Sequence, residues 1–583
     1  MKKKDAIVRF VGSAGDGLVS LGELFSKILK KHNLNVLGFR SYQSVIRGGY
    51  NTYQIRVSSD PIYSVGEEAD IIVLLNKEVA IQHRELVNQG AMIIYDNERI
   101  DLDELDYPDD IIKLGIPLSS LAKQVTKLRI IKNIVGFGSI SYILNLDHEL
   151  TTEVIEDQFG YKGKKIVDIN IKALDLGFNY AQEHDWPKLW EKHKFERAQQ
   201  MLISGNIALA MGMVSAGLKF YSGYPMTPAT SILHYLTKYL PQLKIIVKQT
   251  EDEIAAIGMA VGASYCGARA ATGTSGGGVS LMTEIIGMTA MEEIPLVVIN
   301  AQRAGPSTGM ATKTEQGDLF QALGASQGEF PKIIIAPSDV TDAFYTGIEA
   351  MELAEKYQTV VMVLLDLYLS EQIATVKTLP LKHKNKRFAI LDKVSKDFER
   401  YKITESGVSP RTLPGTKNGM HFTGSSEHTP KGFSIASTLA GLPKTLEIRK
   451  AMVEKRMRKL DSVLKELEPP KINGPHDAQV TLVSWGSTKL IVKEAMLKLN
   501  EMGIATNQLH LKYIEPFHTQ HVQEILSAVP IRIAVEQNFM GQMKAYIRMK
   551  TGIDIPHLIH RYDGEPITVS EIVNQVKEIV EYE

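Results

Sequence analysis

Sulfur chemistry is nearly absent from this chain: of 583 residues, one is cysteine, Cys266. A single thiol excludes an internal disulfide, and it excludes an iron–sulfur cluster or zinc site held by cysteines of this chain. Cys266 is expected as a small apolar residue buried at a helix end. Net charge is nearly absent as well. The 66 Lys and Arg residues stand against 67 Asp and Glu, which implies neither a nucleic-acid surface nor an anionic membrane surface. No run approaches the ~18–20 apolar residues of a spanning helix. The opening MKKKDAIVRFVG passes from lysines straight into an alternating strand pattern. It lacks the apolar core and cleavage signal of a signal peptide. These absences point to a cytoplasmic protein that binds no nucleic acid and no membrane.

What remains is an ordinary globular composition, long enough for three or four domains. The residues predict a strand over Ala6–Val11, a turn Gly12-Ser-Ala-Gly-Asp-Gly17, an amphipathic helix over Leu18–Lys31 and a second strand over Val36–Phe39. A glycine turn at a helix N-terminus favours anions through its free N–H groups. It fits a dinucleotide fingerprint only loosely, and no acidic ribose ligand follows the second strand. A plain strand-to-helix turn is the alternative. The Gly15-Asp-Gly17 triplet lacks the Asn-Asn pair of a thiamine diphosphate–magnesium motif.

Polar and small residues then gather in turns between apolar runs from Gly223 to Leu319: GYPMTP, QTEDEIAAIGMAVGAS, TGTSGGG and NAQRAGPSTGMATKTEQGDL. Loops of this kind collect at one end of a parallel sheet, where α/β proteins place their chemistry. Pro225 and Pro228 brace Thr227, which suits either recognition of a small carboxylate or capping of the next helix. Glu251 and Asp252 need only complement a helix dipole. Glu253 is followed by Ala256, Ala260 and Gly262, which leave room beside it for a flat ring. The glycines after Thr274 and Ser275 allow close backbone approach to a ligand. Arg303 ends a strand, where a guanidinium can bind a carboxylate bidentately or form an ordinary ion pair. His428, a lone loop histidine, suits catalysis or simple solvation. A charged helix over Thr445–Leu467 reads as surface or partner-facing.

The stretch from Gly223 resembles the pyrimidine-binding domain of the 2-oxoacid:ferredoxin oxidoreductases, and the resemblance extends over nearly the whole chain. YPMTP is similar to that family's Tyr-Pro-x-Thr-Pro motif, and Glu253 to Gly262 to the helix carrying the activating glutamate of thiamine enzymes. Arg47-Gly48-Gly49, Lys132-Asn133 and Gly136-Phe-Gly138 resemble its gamma domain. Glu536-Gln-Asn538 with Gly541-Gln542 resembles its transketolase-C-like domain. The resemblance implies an α/β multidomain fold: a gamma-type Rossmann-like domain over 1–190, a thiamine diphosphate pyrimidine-binding domain over 200–375, a connector over 376–473 and a transketolase-C-like domain over 474–583. It implies that Glu253 hydrogen-bonds the aminopyrimidine and so promotes loss of the C2 proton. Tyr224, Thr227, Arg303 and Thr312 would bind the 2-oxoacid. Pro225, Thr274 and Ser275 would join Glu253 in holding the cofactor, and Arg47 would face a phosphate of coenzyme A. The diphosphate and Mg2+ site and a 4Fe–4S cluster are expected on a separate beta subunit, in an (alpha-beta)2 heterotetramer that reduces ferredoxin. The substrate order is 2-oxoglutarate, then pyruvate, then branched-chain 2-oxoacids. A nucleotide-binding dehydrogenase and a non-catalytic scaffold are the rivals.

Overall fold

A computed structural model describes residues 5–14, 17–43, 48–77, 87–105, 107–190, 199–435 and 442–583. The chain divides into two compact units, 1–204 with 371–379, and 205–370 with 380–583.

The first unit is built on an eight-stranded sheet. Its middle strand, Asp5–Ala14, runs parallel to Ala69–Leu74, which is followed in turn by Val87–Asp96 and Ile112–Ile116, all parallel. On its other side the sheet turns antiparallel, through Gly48–Ser58, Asn35–Ser41, Ile373–Lys377 and Gln200–Ser204. The expected strand–helix–strand start is thus present with a difference: Gly48–Ser58 is inserted between its two strands. The helix Leu18–Lys31 buries Leu21, Leu24, Phe25, Ile28 and Leu29 at helical spacing. Phe25 stands edge-on between Phe10 of the sheet and Phe137 of the helix Lys132–Ile143. Gly17 precedes the first helix with φ of 77°, in the left-handed region that glycine enters freely.

The second unit holds two sheets. The seven-stranded one runs Tyr513–Glu515, Lys332–Ile335, Val360–Asp366, Leu296–Gln302, Ala270–Thr274, Phe220–Gly223, Ile246–Gln249. All neighbours are parallel except the edge strand Tyr513–Glu515. Its central strands Ala270–Thr274, Leu296–Gln302 and Val360–Asp366 are buried at every position, as parallel strands covered on both faces must be. The five-stranded sheet belongs to the C-terminal part, which also supplies Tyr513–Glu515 to the edge of the seven-stranded sheet.

Residues 380–435 and the helix Pro443–Leu464 are fastened to this frame by buried charge. Glu355 accepts from Arg269 Nε (2.9 Å), Arg387 Nε (2.6 Å) and Arg411 Nη2 (2.9 Å). Glu293 pairs with Lys455 Nζ (2.5 Å) and Lys459 Nζ (2.7 Å), all three without exposure. The expectation that this helix is surface or partner-facing is therefore corrected in part: Lys455, Arg456 and Lys459 are buried as internal clamps, while Lys444, Arg449 and Lys450 stay exposed. Burial alone would push the Glu293 carboxyl up, but Lys459, Lys455 and Arg400 outweigh it and hold it well below the usual carboxylate range. His428 is buried too, with its ring nitrogens spent on the carbonyls of Thr429 and Met291. That gives it a structural use. Cys266 departs from expectation in the other direction, being exposed at the end of the helix Glu253–Tyr265.

Candidate active site

Parallel strands deliver their following loops to one edge of the sheet, and the motif residues follow that rule. Tyr224 to Pro228 follow Phe220–Gly223, Glu253 opens the helix after Ile246–Gln249, Ser275 follows Ala270–Thr274, and Arg303 follows Leu296–Gln302. These sequence-distant loops meet there because the strands between them are parallel neighbours.

Of the three acids at the start of the Glu253 helix, two have conventional places. Glu251 is exposed, and Asp252 is the N-cap, accepting from the Ala255 backbone N–H at 2.8 Å. Glu253 is 3% exposed. Thr274 Oγ1 donates to its Oε1 at 3.1 Å. Among the described residues Oε2 accepts no hydrogen bond. Gly278 makes this contact possible, since a Cβ there would lie 2.1 Å from Thr274 Oγ1 and 2.6 Å from Glu253 Oε1. Ser275 is wholly buried, with an unpartnered hydroxyl at the N-cap of the helix Gly276–Met291. Buried polar groups normally find partners. A carboxyl oxygen and a hydroxyl left open, with Gly277 next to Ser275 where an added Cβ meets nothing within 4 Å, fit a flat polar ring. The residues thus fit the aminopyrimidine half of thiamine diphosphate.

Arg303 is half-buried and donates from Nη1 to the Thr227 carbonyl at 2.9 Å. That is its one hydrogen bond among the described residues, so most of its five donors stay open. Burial lowers its pKa, while Asp318 and Glu253 raise it. Thr227 does not cap the helix Thr230–Lys238, whose N-cap is Ala229. Its loop is held instead by buried Asn206, which donates to the Pro228 carbonyl (2.9 Å) and to Ser231 Oγ (2.8 Å). Pro225 and Thr227 are half-buried, Thr312 is buried and Tyr224 is exposed. Arg47 lies outside the described residues.

A cavity of about 400 Å³ opens here, lined by Ser275, Gly277, Ser280, Arg303, Ser307 and Asp318 among others. Asp318 lies on the cavity wall. Its Oδ2 accepts from Asn300 Nδ2 at 3.0 Å, and its carboxyl sits where a Cβ on Gly276 would reach, 2.4 Å away. Burial raises its pKa, against the effects of Asn300 and Arg303. Gln321, Asn300 and Asn206 also shape the site; lone amides in apolar runs give no signal of that in the sequence.

Comparison with known proteins gives the family. The family profile described as pyruvate flavodoxin/ferredoxin oxidoreductase, thiamine diphosphate-binding, matches residues 211–442. The one described as pyruvate ferredoxin/flavodoxin oxidoreductase matches residues 7–180. Fold and site therefore define a thiamine diphosphate-binding oxidoreductase subunit. The 2-oxoacid:ferredoxin oxidoreductase 2, subunit alpha, of Aeropyrum pernix is 30% identical over 98% of this chain and 97% of its own. The 2-oxoglutarate oxidoreductase subunit KorA of Mycobacterium tuberculosis is 30% identical over 95% of this chain and 88% of its own. A solved 2-oxoglutarate:ferredoxin oxidoreductase from Magnetococcus marinus, with 2-oxoglutarate, coenzyme A and succinyl-CoA bound, superposes with a TM-score of 0.92 at 33% identity, covering 99% of each chain. The chain belongs to the family of 2-oxoacid:ferredoxin oxidoreductase alpha subunits, and is one subunit of a multisubunit enzyme. No helix among the described residues is long and apolar enough to cross a membrane.

Proposed function

We propose that this chain is the alpha subunit, with an N-terminal gamma-type domain, of an enzyme that converts 2-oxoglutarate and coenzyme A to succinyl-CoA and carbon dioxide. Two electrons leave singly for two ferredoxins, and one proton is released. Support for the substrate comes from the 2-oxoglutarate enzymes among the relatives. Glu253 carries the reading, as a buried carboxyl with one oxygen fixed by Thr274 and the other open at the sheet edge.

Thiamine diphosphate, when bound, supplies the nucleophilic carbon and the electron sink that decarboxylation of a 2-oxoacid needs. Glu253 Oε2 would share a hydrogen-bonded proton with the aminopyrimidine ring nitrogen, which is acid–base work by a positioned carboxyl. Thr274 keeps Oε1 occupied, so the free oxygen points one way. Ser275 would offer its unpartnered hydroxyl to the cofactor, and Tyr224 and Pro225 would take part in enclosing it. Arg303, steadied by the Thr227 carbonyl, presents its open N–H donors to the substrate carboxylate, with the Thr227 and Thr312 hydroxyls alongside. Arg47 serves a coenzyme A phosphate.

Among the described residues no cluster of His, Cys, Asp or Glu suits a metal ion, and the lone cysteine cannot hold a cluster. A beta subunit supplies the diphosphate and Mg2+ site and the 4Fe–4S cluster, in an (alpha-beta)2 assembly in the cytoplasm. The test is anaerobic reduction of a low-potential dye by this chain and its partner subunit. Coenzyme A-dependent reduction with 2-oxoglutarate, and only with both chains, is the expected result. Preference for pyruvate or 2-oxoisovalerate would move the substrate, and no reduction with a loaded cofactor and cluster would overturn the reading.

A further inference from the structure

One set of buried amides lies outside the Glu253 and Arg303 site. Gln316, Gln537, Asn538 and Gln542 are each at most 9% exposed, and a buried amide costs stability unless its hydrogen bonds are made. Gln316, Asn538 and Gln542 make theirs across the boundary between the seven-stranded sheet's loops and the C-terminal part, while Gln537 Nε2 has no partner among the described residues. Gln316 N–H donates to the Gln537 carbonyl (2.7 Å), Gln537 N–H to Gln316 Oε1 (3.1 Å), and Asn538 Nδ2 to the Gln316 carbonyl (3.2 Å). Gln316 Nε2 donates to the Trp485 carbonyl at 3.0 Å. Gln542 Nε2 donates to the Gly317 carbonyl at 2.7 Å, and its Oε1 accepts from Phe320 N–H at 3.2 Å.

The amide of Gln542 thus brackets Asp318 from behind. On the cavity side the same segment is tied to the site. Asp318 N–H donates to Gln302 Oε1 (3.0 Å), Asn300 holds the Asp318 carboxyl, and Gln321 Nε2 donates to the Gly276 carbonyl (2.9 Å) and Ser280 Oγ (2.6 Å). The donor loop is itself rigid. Glu536 accepts from the backbone N–H groups of Met543 and Lys544 and from Asn538 Nδ2, each at 2.9 Å, and so pins the start of the helix Gln542–Thr551.

We propose that Gln542 is a positioning residue for the oxoacid chamber: it holds Asp318 beside Arg303 and the start of the glycine helix, so the C-terminal domain sets the geometry in which the substrate carboxylate is received. The inference rests on reading the cavity as that chamber. Releasing the segment lets the Asp318 carboxyl drift relative to the guanidinium it balances, which weakens substrate binding and leaves the Glu253 side intact.

The experiment compares wild type, Gln542→Ala, Gln542→Glu, Asp318→Asn, the double variant Gln542→Ala/Asp318→Asn and Arg303→Lys, each purified with its partner subunit. The substrate is whichever of 2-oxoglutarate, pyruvate and 2-oxoisovalerate the wild type turns over. Gln542→Ala is expected to raise the oxoacid KM about tenfold while kcat changes less than about threefold. Thiamine diphosphate affinity stays at the wild-type value. Gln542→Glu, which keeps the acceptor for Phe320, falls between. The double variant exceeds Asp318→Asn by less than about twofold, because both act through one carboxyl. An unchanged KM in Gln542→Ala, or a loss that only follows loss of cofactor or partner, overturns the proposal. An unchanged KM in Arg303→Lys would instead overturn the chamber reading beneath it.

Discussion

Glu253 and Glu293 lie in the same unit and are buried to the same degree, 3% and 0% exposed, yet they are partnered oppositely. Glu293 has two ammonium groups within 2.7 Å and the Arg400 guanidinium nearby. Glu253 has one threonine hydroxyl. Around Glu293 the charges are answered within the protein, and the outcome is a clamp between the turn at its own position and the helix Pro443–Leu464. Around Glu253, Ser275 and Arg303, hydrogen-bonding capacity is left open beside a cavity. Burial alone therefore does not distinguish the two carboxyls; the unanswered oxygen does, and the proposed role of Glu253 rests on it.

The contrast can be broken from either side. The largest effect is expected on turnover: Glu253→Gln keeps the acceptor for Thr274 but cannot share the proton, and should lower kcat about 10²–10⁴-fold, with the melting temperature at or above wild type. The reverse pattern is expected for Glu293→Gln. It strands two buried ammonium groups and should cost about 3–5 kcal/mol in urea unfolding, with kcat per folded enzyme near wild type. Thr274→Val removes one hydrogen bond from the working carboxyl and should lower kcat about tenfold, read by steady-state kinetics with cofactor saturating.

The smallest effect is a slope. Burial lowers the pKa of Lys455 from 10.5 to about 7, with Glu293 opposing and Lys459 assisting. Between those values the unfolded chain binds a proton that the folded chain lacks, so stability rises with pH across pH 7 to 10.5. Lys455→Met lacks that contribution. Wild type should gain on it in urea midpoint as pH rises through this window, and the difference should be flat below pH 7.

The site was legible in the sequence wherever chemistry is carried by short local patterns. The placement of Glu253, Thr227 and Arg303 follows from loops that leave neighbouring parallel strands at one edge, and apolar runs with small polar turns announce those. What was not legible depends on partners far along the chain. Lys455 meets Glu293 across 162 residues, and nothing in a charged helix says which of its cations turn inward. Asp318 looks like any loop acid until Asn300 and Gln542 are seen on either side of it. The strand Gly48–Ser58 slips between two strands that the local pattern makes neighbours, and Tyr513–Glu515 edges the seven-stranded sheet rather than the five-stranded one that surrounds it in sequence; pairing of that kind is a tertiary choice. Cys266, expected to be buried by residue type, ends a helix at the surface instead.

The central claim is that the open oxygen of Glu253 does the acid–base work. The most direct test is the rate at which thiamine diphosphate, bound in the complex with the partner subunit, exchanges its C2 proton for deuterium, measured by quenched-flow NMR without substrate. Wild type should exchange fast enough to support turnover, and Glu253→Gln should be slower by about 10²-fold or more with the cofactor still bound. Equal exchange rates in the two would contradict the claim and leave Glu253 a buried structural carboxyl like Glu293.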